Sequence, residues 1–115
     1  MSSDGAQGKK KTWHSRLWAQ KVHSVRGTYG RIFAFSSETV ANLDPDRFSV
    51  TNEWEWPALV DVELDMQDPR KFRMTLPKAG LLFGESTEVM TFSTLYRKTL
   101  LTDLYQWWER GKVGR

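Results

Sequence analysis

From Leu17 to Phe92 the apolar residues of this chain recur in twos, and from Leu95 onward they recur in threes and fours. A period of two sends successive side chains to opposite faces of a strand, whereas a period of three to four gathers them along one side of a helix. The order of the two regimes constrains the fold. A run of strands followed by one helix, with no alternation between them, builds an antiparallel sheet in an α+β domain.

The strand regime resolves into about seven short segments. Residues 17–25 (LWAQKVHSV) are rich in strand formers, and a second apolar run extends from Tyr29 to Phe35. Arg26-Gly27-Thr28 connects them with glycine at a turn position, so a hairpin is expected. TVANL (39–43) closes on Asp44-Pro45-Asp46, which is turn chemistry. In SVTNEWEW (49–56), Val50, Asn52, Trp54 and Trp56 alternate with Ser49, Thr51, Glu53 and Glu55, the pattern of a strand with one wet face. LVDVELDM (59–66) alternates again, with Val60, Val62, Leu64 and Met66 on one side. Phe72, Met74 and Leu76 share a face of KFRMTLP, and EVMTF (88–92) is the last strand. Between them, residues 78–87 with Gly80 and Gly84 read as a mobile loop, from which Leu81-Leu82-Phe83 can fold back onto the body.

The helix regime carries Leu95, Leu100, Leu101, Leu104, Tyr105 and Trp108. Ser93 or Thr94 is the expected N-cap, and Gly111 stands where a C-cap glycine belongs. At least three turns are expected, beginning near Ser93, with Leu100, Leu101 and Leu104 packed against Phe33, Trp54 and Phe92. A bent sheet or partly open barrel plugged at one end by this helix, the pleckstrin-homology type of architecture, is one of several solutions open to the pattern.

A chain of 115 residues, 39% hydrophobic, forms a single core. The absence of cysteine excludes disulfides and thiolate metal sites and favours a reducing compartment. MSSDGAQGKKK has no apolar stretch after it, so it does not read as a secretory signal. Residues 1–12 are expected to be a flexible basic arm, 13–112 the domain and 113–115 a tail. Charge is uneven: residues 1–31 carry seven Lys/Arg against Asp4, residues 32–69 carry Arg47 against nine acids, and residues 70–115 carry nine bases against four acids. A basic end beside an acidic middle steers an anionic partner to one surface; a solvated surface of mixed charge is the alternative.

One region carries more than propensity. VHSVRGTYGRIFAFSSETVANLDPDRFSVTNEW (22–54) resembles the amino-terminal module of the DnaJ homologue subfamily C member thirteen family, the endosomal J-domain proteins of receptor-mediated endocytosis. The family pattern is Lys-His-Ser-Trp-Arg-Gly-x-Tyr-x-Arg-(Ile/Val), an apolar strand, Asn/Asp-Pro, then Val-Thr-Asn-x-Trp. His23-Ser24, Arg26-Gly27, Tyr29, Arg31-Ile32, Asp44-Pro45 and Val50-Thr51-Asn52-Glu53-Trp54 match it. A second block, MTFSTLYRKTLLTDL (90–104), is similar to the stretch that opens that family's closing helix. The resemblance implies a pleckstrin-homology-like module of a large endosomal scaffold, cytoplasmic and peripheral on the early endosome membrane. It also implies phosphatidylinositol 3-phosphate as membrane ligand and endosomal sorting proteins as partners. No His-Pro-Asp tripeptide is present, so no co-chaperone activity of this chain is expected.

In pleckstrin-homology folds phosphate binds at the open end of the barrel beside the first hairpin. Carried onto this sequence, that implies a phosphoinositide site at Lys21, Arg26, Tyr29 and Arg31. Lys21, Arg26 and Arg31 fall at steps of five across the hairpin, and Arg31 shares strand parity with Phe33 and Phe35, which aims it inward at the rim. Arginine suits the role because its planar fork binds phosphate bidentately. His23 is a further charge or, as lone histidines more often are, a packing or hydrogen-bonding residue. Four family contacts are absent: the hairpin Trp is Val25, the Lys before His-Ser is Val22, and two flanking lysines are Thr28 and Gly30. Val25 and the arm's Lys9, Lys10 and Lys11 are candidate membrane contacts, with Trp13 and Trp18 beside them; basic residues near an anionic leaflet contribute about 1 kcal/mol each. The alternative is a protein-interaction module on the same fold with lipid binding weakened or lost.

Other chemistries find little footing. Two histidines without cysteine suggest no metal or cofactor, and sequence-adjacent Ser and His fall on opposite strand faces, so neither catalysis nor a metal site is expected. Asp61, Glu63 and Asp65 read as a solvated face. No recognition helix or RNA-binding sheet motif accompanies the basic end, so nucleic acid is not an expected partner.

Overall fold

The computed structural model describes residues 12–23, 25–78 and 86–113. Seven strands form one antiparallel sheet: β1 (Ser15–His23), β2 (Gly27–Phe35), β3 (Thr39–Leu43), β4 (Val50–Glu55), β5 (Asp61–Leu64), β6 (Lys71–Pro77) and β7 (Thr87–Ser93). Their order is β4-β3-β2-β1-β7-β6-β5, and helix α1 (Arg97–Val113) follows.

β1 joins the two halves. It pairs with β2 from Ser15↔Phe35 to His23↔Gly27, and with β7 only over Gln20–Val22. On a flat sheet β2 and β6 would lie three strand spacings apart, about 14 Å. Yet the Phe33 ring of β2 lies 5.8 Å from Phe72 of β6 and 4.7 Å from Phe92 of β7. The sheet is therefore curled, and the rings on its concave face meet. Phe33, Phe35, Val40, Phe72, Met74, Leu76 and Phe92 are all fully buried there. The expected face of β6 is thus the core face.

β4 and β5 do not pair, so the barrel is open along that side. A 3-10 turn, Trp56–Ala58, connects them with Pro57 at its start. Trp56 is not the strand residue that alternation suggested. It is fully buried, donates from Nε1 to the Ser36 carbonyl at 2.9 Å, and lies against Phe35. Val50 also departs from expectation. The β3–β4 register passes from Asn42↔Asn52 to Leu43↔Val50, so Thr51 is extra. Such a bulge flips parity and leaves Val50 exposed. On β5 only Val62 packs on the core; Val60, Leu64 and Met66 are exposed, because β5 is a four-residue edge strand and Met66 lies in the following turn.

Helix α1 plugs the end where β2 turns into β3. Leu100, Leu101 and Leu104 join the main core with Phe33 and Phe92, and Trp54 packs against it. The helix begins at Arg97, later than the expected start near Ser93, and Thr94 braces the turn before it rather than capping it: its hydroxyl accepts the Tyr96 N–H at 3.1 Å and donates to the Trp18 carbonyl at 3.0 Å. Leu95 precedes the helix and is exposed. Gly111 is not a C-cap, since the helix continues to Val113. It is buried against the Trp56 ring, where an added Cβ would come within 2.5 Å of the Trp56 Cβ. Glycine is required there by close approach rather than by a left-handed backbone.

Arg97 fastens the helix start to the β5–β6 turn, its Nη1 donating to the carbonyls of Asp65, Asp68 and Lys71. In that turn the Asp65 carboxylate accepts the N–H groups of Asp68 and Gln67, each at 2.8 Å, and Nη1 of Arg73 at 3.0 Å. These donors, the Asp68 N–H foremost, lower its pKa from 3.8 to about 2. A depressed carboxyl stabilises the fold above its unfolded value and ceases to do so as pH falls through the folded one. Acid titration is thus expected to weaken the domain between about pH 4 and 2. Asp65→Asn should flatten that limb of the stability–pH curve; an unchanged limb would remove Asp65 as its source.

Candidate anion cradle at the open end

The β1–β2 and β3–β4 connections lie at the end of the sheet opposite α1, together with the paired strand ends Pro77 of β6 and Thr87 of β7, as the antiparallel register requires. The first of these builds the site. Lys21 pairs with Tyr29 and Ala19 with Arg31, so period-two alternation places Lys21, Tyr29 and Arg31 on the face that carries Ala19, Phe33 and Phe35. Gly27, with φ of 84°, turns the hairpin in the left-handed region. His23 holds its tip: Nδ1 accepts the N–H of Val25 at 3.2 Å and of Arg26 at 3.1 Å. His23 therefore acts as a hydrogen-bonding residue of the hairpin.

Beyond Val22↔Thr91, β1 and β7 no longer pair. The gap is a concavity of about 430 Å³, lined from the hairpin by Lys21, His23, Arg26 and Tyr29 and from β7 by Glu88 and Met90. Arg31 does not line it. Its guanidinium lies over the Tyr29 ring, 4.6 Å from the centroid, and Nη1 donates to the Gly30 carbonyl at 2.7 Å. The Lys21 pKa is lowered, first by burial and second by repulsion from Arg31, against which Glu88 pulls upward. Cations held this close to one another favour an anion between them.

Three of the four expected residues, Lys21, Arg26 and Tyr29, thus share one concavity, and Arg31 joins them through the Tyr29 ring. Val25 stands at the hairpin tip, 86% exposed. Lys9, Lys10 and Lys11, and Leu81-Leu82-Phe83, lie outside the described residues. Trp13, partly buried, packs on the outer sheet face against Ala34, Ala41 and Leu43. Sequence reasoning passed over three residues at this end. Glu88 shares the inward parity of Met90 and Phe92, a signal that was readable. Phe48, in the β3–β4 loop, is 61% exposed with φ of 56°; a bulky residue in that region is strained, and strain of this kind gathers at functional loops. Asn42 shares the core parity of Val40 on β3 and is fully buried.

A second concavity, of about 260 Å³, lies near the start of α1 and is lined by Trp18, Gln20, Arg70, Thr94, Leu95 and Tyr96. Trp18, Leu95 and Tyr96 are exposed there. No described helix is long and apolar enough to cross a membrane.

Comparison with solved structures places the fold. The PH domain of Slm1, solved with inositol-4-phosphate, superposes with a TM-score of 0.60 at 9% identity, covering 90% of this chain and 97% of that one. The DH/PH domains of PDZ-RhoGEF, in complex with GTP-γ-S-activated RhoA, give 0.65 at 10% identity over 90% of this chain, which spans 30% of the matched chain. The DH/PH fragment of PDZRHOGEF bound to human RhoA gives 0.64 at 11% identity, over 88% of this chain and 29% of that one. A search of curated proteins finds no match. The seven-stranded open sheet with its carboxy-terminal helix is therefore a pleckstrin-homology-like fold. The sequence pattern described as the DNAJ protein RME-8 N-terminal domain matches residues 18–110, most of the chain, and the protein belongs to that family.

Proposed function

We propose that this domain is a phosphoinositide-binding, membrane-targeting module of an endosomal trafficking scaffold, with phosphatidylinositol 3-phosphate as its ligand. The observation that carries the reading is the convergence of Lys21, Arg26 and Tyr29 on one concavity at the open end, with Arg31 stacked on Tyr29. The presence of inositol-4-phosphate on the PH domain of Slm1 supports it. Lys21, Arg26 and Arg31 take the phosphate and Tyr29 walls the ring. Val25 and Phe48, exposed at the same end, enter the interfacial region, and the Lys9–Lys11 arm (residues 1–12) adds attraction to any anionic leaflet.

Sedimentation with vesicles containing each singly phosphorylated phosphoinositide tests this. Binding above a phosphatidylserine control is expected, with soluble headgroup affinity of only ~10⁻⁵ M or weaker because the family's hairpin Trp and lysines are absent. Vesicle binding should exceed headgroup binding, and the surplus should fall with salt. No binding above the control would refute the reading. The second reading, a protein-interaction module that engages endosomal sorting proteins, is favoured by the exposed Trp18, Leu95 and Tyr96 around the second concavity. It would then take precedence.

A further inference from the structure

A carboxylate stands in the wall of the cradle. Glu88 of β7 lines the same concavity as Lys21, Arg26 and Tyr29, and the sheet fixes it there. It pairs with Leu76, which is fully buried, and it shares strand parity with Met90 and Phe92, so it faces inward. Met90 and Phe92 belong to the core. Glu88 lies two residues nearer the mouth and is half-buried, while Thr87 and Ser86 beyond it are exposed. The charge therefore sits at the opening, where solvent and a ligand both reach it.

From that position Glu88 attracts Lys21 across the gap between β7 and β1, pulling its pKa upward against burial and Arg31. A site shaped only to gather negative charge has no use for it, because like charges set against each other disfavour a partner strongly. The balance of charge shows what it does. Lys21 and Arg26 line the concavity, Arg31 lies over the Tyr29 ring beside them, and Glu88 cancels one of these three cations. The surplus matches one phosphate monoester, which carries about −1.5 to −2 near neutral pH. A second phosphate has no cation of the cradle left to meet it. What a carboxylate offers a ligand is acceptors, and only acceptors. It suits the free hydroxyls of a polyol and turns away a further phosphate, which brings more acceptors and more negative charge.

We propose that Glu88 is a specificity-determining residue of the cradle: it reads free hydroxyls across from Lys21 and Arg26, so that the site takes a polyol bearing one phosphate there and excludes a second phosphate on the neighbouring carbon. This rests on the phosphoinositide reading and gives it a basis for selectivity.

The test titrates the whole chain with soluble inositol monophosphate, with a vicinal inositol bisphosphate, and with vesicles carrying the corresponding lipids, at about 0.15 M salt to screen bulk charge. The wild type should favour the monophosphate; a preference for the bisphosphate would overturn the inference. Glu88→Gln keeps the shape and removes the charge. In it bisphosphate affinity should rise about tenfold or more while monophosphate affinity stays within about threefold, so the preference is lost. Glu88→Asp, which retains the charge, should retain the preference. One readout needs no ligand: the Lys21 ammonium, followed by NMR in the folded variant, should titrate lower still in Glu88→Gln, since the group that pulls it upward is gone. Binding of soluble and lipid forms alike, with no vesicle surplus, would identify a free polyol phosphate as the ligand and still support the role of Glu88. An equal gain for both headgroups in Glu88→Gln, or a gain for neither, would overturn the inference alone and leave Glu88 as a counter-charge to Lys21. A wild type that binds neither soluble nor lipid headgroup would instead overturn the reading on which it rests.

Discussion

Trp56→Ala is expected to remove about 3–5 kcal/mol of stability, the range for truncating a large buried ring. The ring is fully buried, and three elements meet on it. Phe35 of β2 lies 5.9 Å from it, the Ser36 carbonyl accepts its Nε1–H, and Gly111 of α1 seats against it. Alanine leaves a cavity at the junction of sheet and helix and strands the Ser36 carbonyl. Against a total of about 5–15 kcal/mol for a domain, this is a large share. Thermal unfolding followed by circular dichroism should report a drop of roughly 10–25 °C, or no cooperative transition at all. A loss below about 1 kcal/mol, which is what exposed positions give, would mean that α1 does not close the barrel through Trp56. Val25→Ala, at the exposed hairpin tip, is the matched control and should leave the transition in place.

Arg31→Ala is expected to abolish headgroup selectivity and to weaken binding about 10–100-fold, the equivalent of one charge-assisted hydrogen bond at about 1.5–3 kcal/mol. The substitution removes the cation over Tyr29, which is also, after burial, the second cause of the lowered Lys21 pKa. Lys21 should then titrate closer to its ordinary value, a readout independent of lipid. Removal of residues 1–12 should act differently, lowering vesicle affinity evenly across anionic lipids and flattening its salt dependence. Vesicle titrations of the two variants, each checked for an intact unfolding transition, separate cradle from arm. An Arg31→Ala domain that keeps its lipid preference would reduce the hairpin to a basic turn.

Much of this architecture was legible because a strand declares its faces locally. The alternation of Phe72, Met74 and Leu76 told which side of β6 is buried, and Gly27 marked the first hairpin. The same parity aimed Arg31 toward the mouth of the barrel. Resemblance to a known family added the candidate residues of that hairpin, and three of the four fall on one concavity. Where reading failed, the cause was non-local. Thr51 looks like any strand residue, and only the pairing of Asn42 with Asn52 and of Leu43 with Val50 makes it a bulge that turns Val50 outward. Gly111 has the spacing of a cap, yet what demands glycine is a tryptophan 55 residues earlier in the chain.

The sequence by itself therefore determined seven strands, one closing helix and a basic hairpin, since backbone geometry fixes side-chain direction residue by residue. Tertiary structure decided which of those faces meet. The curl of the sheet brought Phe33 against Phe92 and set Glu88 across from Lys21. Those juxtapositions join residues far apart in the chain, and their partners are chosen by how the whole sheet buries its apolar face, which no local period encodes.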